Sequence, residues 1–313
     1  MISWLVDALP LPYPDAVVVV GAALLGFVAG ALGPFAVLRQ RAMFGDAMSH
    51  ATLPGVAIAF LLTGAKVPEV LLLGAALSAG LAALAMIGLN RSGKLSPDAS
   101  IGVVLSISLT LGIVLLTHIA GSGNSQQAGL NTYLLGQAAG MVERDIELTL
   151  LLGVLAFACV VTFFRLLRSS IFDPGFSAVA GARTWAVDAA ATGLLALAIV
   201  LGVRTVGAIL MVALLVAPCV AARQLTTRLA TLVPLAGVIG AVAGGIGGLA
   251  SGRAELPAGP VIVLLATAFA IACVLFAPRR GVLARRWRSG PHPLVREKAR
   301  PGTADHSRAE PVS

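Results

Sequence analysis

RAMFGDAMSHATLPGVAIAFLL, residues 41–62, sets an aspartate and a histidine at the head of an otherwise apolar run. Asp46 and His50 stand four residues apart, so in a helix both side chains leave one face about a turn apart. Such a face can hold a cation. Four residues beyond His50 comes Pro54, which lacks the N–H that would serve the carbonyl of residue 50, and Gly55 loosens the backbone further. The helix is therefore expected to be kinked beside its own charged pair. Apolar flanks put the pair at or within membrane depth, where ionisable groups are costly and mark pathways. The plainer alternative makes Asp46 an N-terminal cap at the membrane surface and His50 an interfacial histidine.

The whole chain supports the membrane reading. Of 313 residues 58% are hydrophobic and 12% charged, and the mean hydropathy is +0.95. A soluble domain carries about twice that charged fraction, so the fold class is an all-α, polytopic helical membrane protein. The net charge of +8 comes from short basic clusters between apolar runs and from the tail. That is the distribution of cytoplasmic loops, and it argues against a nucleic-acid partner. Cys159, Cys219 and Cys273 lie inside apolar runs without CxxC spacing, which supports neither a disulfide framework nor a zinc knuckle.

Residues 1–15 contain acidic residues and prolines but no Lys or Arg, and are expected to be extracytoplasmic without a cleaved signal peptide. Spans are predicted at about 16–38, 46–63, 70–89, 98–117, 146–167, 185–203, 205–221, 232–250 and 259–276. Arg39, Arg41, Arg91, Lys94, Arg165 and Arg168 then fall on the cytoplasmic side, while Arg204 and Arg253 run mildly against that count. Nine spans satisfy the charges best, and eight is the competing number. Residues 121–142, polar and then weakly apolar, read as an outer loop with a re-entrant or interfacial helix. Gly240, Gly244, Gly248 and Gly252 recur every four residues, giving the eighth span a smooth side for close packing.

Two further segments stand out. SSIFDPGFSAVAGAR, residues 169–183, interrupts the spans with a small amphipathic element: Phe172, Phe176 and Val179 recur at helical spacing, and Pro174 can start a helix after Asp173. It is a candidate cytoplasmic docking helix, with an ordinary interfacial linker as the alternative. Residues 279–313 form a basic, Pro-rich cytoplasmic tail with the composition of disorder, and His292 and His306 there are scattered. The transmembrane domain is thus residues 16–278.

Several blocks, in order, resemble the membrane permease of the metal-ion family of ATP-binding cassette importers, which take up manganese, zinc or iron(II). They are the opening stretch, DASIGVVLSISLTLGIVLL (98–116), FDPGFSAVAG (172–181), VGAILMVALLVAPCVAARQLTTRL (206–229) and ELPAGPVIVLLATAFAIACVLFAPRRG (255–281). The resemblance implies a vitamin-B12-importer-like (type II) permease fold, usually described with eight membrane helices. It implies a homodimer in the inner (cytoplasmic) membrane with its C-terminus cytoplasmic, and an extracytoplasmic metal-binding protein that delivers the ion. It implies a separate cytoplasmic ATPase docked on the coupling segment through Phe172, Asp173, Pro174, Phe176 and Gly181, and Asp46 and His50 as the residues that line the pathway.

Chemistry agrees with that assignment. Two subunits would offer two carboxylates and two imidazoles, a set of borderline softness that suits Mn(II), Fe(II) or Zn(II) and lacks the thiolates that select copper. No permanently bound cofactor is expected, and a sparse site suits an ion that must be released. Leu53, Pro54 and Gly55 after the histidine look more like the manganese and iron branch than the zinc branch. The chain has no GxxxxGK[ST], so ATP is expected on a partner subunit. Closure of that ATPase would push on the coupling segment and rock the attached spans. An ion-coupled secondary transporter, which would normally show ionisable residues in several spans, and an intramembrane metalloprotease, which would need an HExxH, are the rivals.

Overall fold

A computed structural model describes residues 10–38, 43–93, 95–121, 143–165, 167–168, 184–254 and 256–277. The predicted segments 122–142 and 169–183 and the tail beyond 277 lie outside the described residues, as do Arg39, Arg41 and Lys94. Nine helices make up the fold among the described residues: α1 (Tyr13–Val37), α2 (Phe44–Thr63), α3 (Pro68–Arg91), α4 (Pro97–Gly121), α5 (Glu143–Thr162), α6 (Thr184–Val206), α7 (Ala208–Leu225), α8 (Leu229–Ala254) and α9 (Ala258–Phe276). Each occupies one of the nine predicted spans. Six of them, α1, α3, α4, α5, α8 and α9, are long and apolar enough to cross a membrane by themselves. The other three are α2, whose first two turns carry Asp46 and His50, and the pair α6 and α7.

Local chemistry sets the ends. Proline starts α1 and α3, where its missing N–H costs nothing, with Asp15 and Glu69 in the first turns and Arg91 in the last turn of α3. Gly64 closes α2 with φ +65°, a left-handed value that glycine adopts without strain. The boundary predicted between residues 203 and 205 moves. α6 continues through Val206, and the break falls at Gly207, with φ 89° and ψ 163°. Only glycine occupies that region readily, so backbone freedom, and not the polarity of Arg204, fixes the junction.

Packing divides into two seams. In the first, α8 runs antiparallel to α1, matching Ala236 with Gly30, Gly240 with Gly26, and Gly244 with Ala22. Any side-chain carbon on Gly240 or Gly244 would collide with the carbonyl of Gly26 or Ala22. The glycine stripe therefore meets backbone, as its four-residue spacing predicts. In the second seam α2 lies between α3 and α4: Gly55 and Gly74 bring α2 and α3 into backbone contact, and Gly112 of α4 abuts Leu53 and Pro54. Outward faces are apolar, with Leu73, Leu77 and Leu81 of α3 and Ile107 and Val114 of α4 exposed. In a chain of this composition those are lipid-facing positions.

Candidate functional site

Asp46 lies in the first turn of α2, whose N-cap residue is Met43 and is made without a side-chain cap. Asp46 is therefore not the N-cap of the plainer alternative, although a carboxylate here still favours the helix dipole. From Phe44 to Ala57 every residue is buried except Asp46, His50 and Leu53. Their spacing of four and then three residues makes one accessible stripe on an otherwise packed helix. His50 Nε2 stands 3.4 Å from Asp46 Oδ1, with side chains 26% and 38% exposed respectively. At that separation the contact is loose, longer than a charge-assisted hydrogen bond. His50 Nδ1 is buried and has no hydrogen-bond partner among the described residues.

The seams also give the depth of the pair. α2 and α3 are antiparallel in a register that matches Gly55 with Gly74 and Ala51 with Ser78. Continued down the helices, it puts Asp46 abreast of about residue 83. α2 and α4 are parallel, with Gly112 beside Leu53 and Pro54, which puts Asp46 abreast of about residue 105. α3 runs on to Arg91 and α4 starts back at Pro97, so both neighbours extend about eight residues past the pair, roughly 12 Å at the helical rise. Ala47, Met48 and Ala51 accordingly share a core with Ala82, Ala83, Met86, Ile101 and Val104. The aspartate and histidine thus lie well inside a bundle whose hydrocarbon-spanning length is about 30 Å.

Pro54 does not break the helix. α2 is continuous from Phe44 to Thr63 with Pro54 inside it. Neighbouring groups support the weakened turn. Ser78 Oγ of α3 donates to the Ala51 carbonyl at 2.5 Å, while Thr52 Oγ1 donates to the Ser49 carbonyl at 2.7 Å and Ser49 Oγ to the Gly45 carbonyl at 2.8 Å. Gly55 serves close approach to α3 in place of flexibility. Gly45 abuts Val212 at the start of α7, so α7 closes the other side of the first turn.

Among the described residues no group of three or more His, Cys, Asp and Glu side chains is assembled. The described residues of one chain therefore offer two donors at this place, fewer than the four to six a transition-metal ion takes. Of the predicted site residues, Asp46, His50, Pro54 and Gly55 fall within about three turns of one helix. Phe172, Asp173, Pro174, Phe176 and Gly181 lie outside the described residues. Sequence reading missed Gly74, Ser78, Gly112 and Val212. The only local signal was the small-residue spacing of Gly74 and Ser78.

A bundle of apolar helices that keeps a carboxylate and an imidazole at depth belongs to the class of multi-pass membrane transport proteins. The chain belongs to the ABC 3 transport family, whose model matches residues 16–277. It is 45% identical over 282 residues to the zinc transport system membrane protein TroC of Treponema pallidum, covering 90% of this chain and 95% of that one. The manganese transport system membrane protein MntC of Bacillus subtilis is 39% identical over 270 residues, 86% of this chain and 62% of that protein. The fold matches the solved structure of PsaBC from Streptococcus pneumoniae in complex with Fab, with a TM-score of 0.76, 30% identity, and coverage of 91% of this chain and 100% of that one.

Proposed function

We propose that this chain is the permease subunit of an ATP-binding cassette importer that moves a divalent transition metal ion across the cytoplasmic membrane by ATP-driven alternating access. Manganese is the first choice of cargo, with zinc and iron(II) next. The observation that carries the reading is the accessible stripe of Asp46 and His50 at depth in the bundle. Relatives named for zinc and for manganese transport fit a donor set that serves either ion.

Two donors among the described residues of each chain leave the site incomplete, and a homodimer whose two-fold axis faces two such stripes completes it. Residues 16–278 form the transmembrane domain. The coupling segment 169–183 receives a separate cytoplasmic ATPase through Phe172, Asp173, Pro174, Phe176 and Gly181, and an extracytoplasmic binding protein delivers the ion at the other face. The basic tail 279–313 lies in the cytoplasm and residues 1–15 outside. Family membership favours this reading over an ion-coupled secondary transporter.

The test is uptake in proteoliposomes holding the permease, its ATPase and its binding protein. Mn(II), Zn(II) and Fe(II) are offered separately with and without ATP. ATP-dependent accumulation of one of them is expected. Accumulation of none would leave the scaffold without this cargo.

A further inference from the structure

We propose that Ser78 is a positioning residue for the transported ion, its hydroxyl holding the proline-weakened turn of α2 in the conformation that aims His50. The inference rests on the reading of Asp46 and His50 as the ion's donors, and the observations behind it are independent of that reading.

Pro54 leaves the His50 carbonyl without the N–H that a regular helix supplies. Within a membrane no bulk water repairs the loss, so neighbouring helices must steady the turn. Ser78 does this from α3, donating from Oγ to the next carbonyl in line, that of Ala51, at 2.5 Å. A serine can reach because Gly74, one turn earlier on α3, lies in backbone contact with Gly55. On another face Gly112 of α4 abuts Leu53 and Pro54. The turn 50–54 is therefore held by two helices, and Ser78 contributes a directional bond.

The orphaned nitrogen makes this matter for the ion. A metal-binding histidine is ordinarily oriented by a second hydrogen bond from its far ring nitrogen to a carboxylate or carbonyl. His50 Nδ1 has no such partner among the described residues. Its ring direction accordingly depends on the backbone to which it is attached, and Ala51, whose carbonyl Ser78 holds, is the next residue. Loss of the hydroxyl lets the turn shift and disperses the imidazole without removing any donor.

The experiment measures Mn(II) and Zn(II) binding against metal concentration in the reconstituted complex of full-length permease and ATPase, where no binding protein sets the half-saturation, and the maximal uptake rate of the same complex with its binding protein added. Wild type is compared with Ser78→Ala, Ser78→Thr and His50→Ala. A neutral hydrogen bond corresponds to about a three- to tenfold change in a binding constant. Ser78→Ala is expected to raise the half-saturating metal concentration by that factor while membrane accumulation and the maximal rate stay at wild-type level. Ser78→Thr is expected to restore it, because the added methyl can enter the apolar groove that Ser78 lines with Leu77, Leu81, Ile107 and Leu111.

Unchanged half-saturation in Ser78→Ala overturns the proposal. So does a fall in maximal rate alone, a loss of the protein from the membrane, or a Ser78→Thr protein as impaired as Ser78→Ala, since each of these assigns the serine to general packing. His50→Ala separates the two layers. If it transports like wild type, the donor reading itself falls. If it is inactive while Ser78→Ala behaves as wild type, only the positioning role is lost.

Discussion

The α1–α8 seam and the α2–α3–α4 seam use the same device for different ends. Along the first, glycines meet carbonyls in regular steps from Gly30 and Ala236 to Gly244 and Ala22. No ionisable side chain interrupts that stretch, and the contact runs along most of both helices. Along the second, Gly55 and Gly74 bring two backbones together at one level only. Around that level stand a proline inside the helix, a hydroxyl crossing from α3, and the Asp46 and His50 stripe. A seam repeated over several turns is hard to shift, because every step would clash at once. The second seam is locked backbone to backbone at one level and packed by side chains above and below it, contacts that can adjust. The pair therefore sits beside the seam with fewer backbone locks, while α1 and α8 form the more closely locked part of the bundle.

The largest effect expected from breaking this contrast is at the pair. Asp46→Ala and His50→Ala should each lower ATP-dependent metal uptake by on the order of a hundredfold or more. Removing a residue that merely orients a ligand already costs about 10–100-fold in metal affinity, and removing the ligand costs at least as much. Thermal unfolding in detergent should change little, since both side chains are partly exposed. A variant that transports normally would remove the residue from the pathway. Next comes the α1–α8 seam. Gly244→Leu sets a side chain against the Ala22 carbonyl, and backbone atoms on both helices leave nothing that can rotate away. A cost of about 1–3 kcal/mol or more is expected, read as a lower unfolding midpoint and reduced accumulation in the membrane. Here uptake per folded molecule should be preserved, the reverse of the first result. If Gly244→Leu is stable and impairs transport instead, the two seams do not divide structure from function as their geometry suggests.

Much of this division is legible in the sequence, for reasons that follow from range. The nine spans come from hydropathy, which is local, and each has its helix. The stripe from Gly240 to Gly252 repeats every four residues and so declares a packing face, while the residues it meets on α1, Gly26 and Ala22 among them, lie far away in the chain and have no local mark of the pairing. Asp46 and His50 are found by their spacing. Their place at or within membrane depth is read from the apolar flanks, while how far α3 and α4 extend past them depends on helix registers that no local window shows. The supports that the Pro54 turn receives from other helices, Ser78 among them, lie outside the window in which proline is read. The α6–α7 break moves from residue 204 to Gly207 because an arginine continues a helix comfortably and a backbone at φ 89° does not.

The smallest effect sharpens the contrast at the end of the bundle where α3 and α5 begin. Adjacent residues of α5 reach in opposite directions there. The carboxylate of Glu143 accepts a hydrogen bond from the Tyr13 hydroxyl of α1, and Arg144 Nη1 meets Glu69 Oε1 of α3 at 3.0 Å. The two seams are thus linked through one turn of α5. Both partners of the ion pair are exposed, and such pairs contribute about 0–1 kcal/mol and weaken as salt is added. Arg144→Glu should therefore change the unfolding free energy by less than about 1 kcal/mol. If the pair holds the α2–α3–α4 seam in the arrangement described, losing it shifts the conformational balance by no more than the pair's own energy. That limits the change in uptake rate to about fivefold, smaller still at high salt, and Arg144→Glu combined with Glu69→Arg should restore it. A larger change, or one that ignores salt and is not restored by the swap, would mean that α5 does more than tether the two seams.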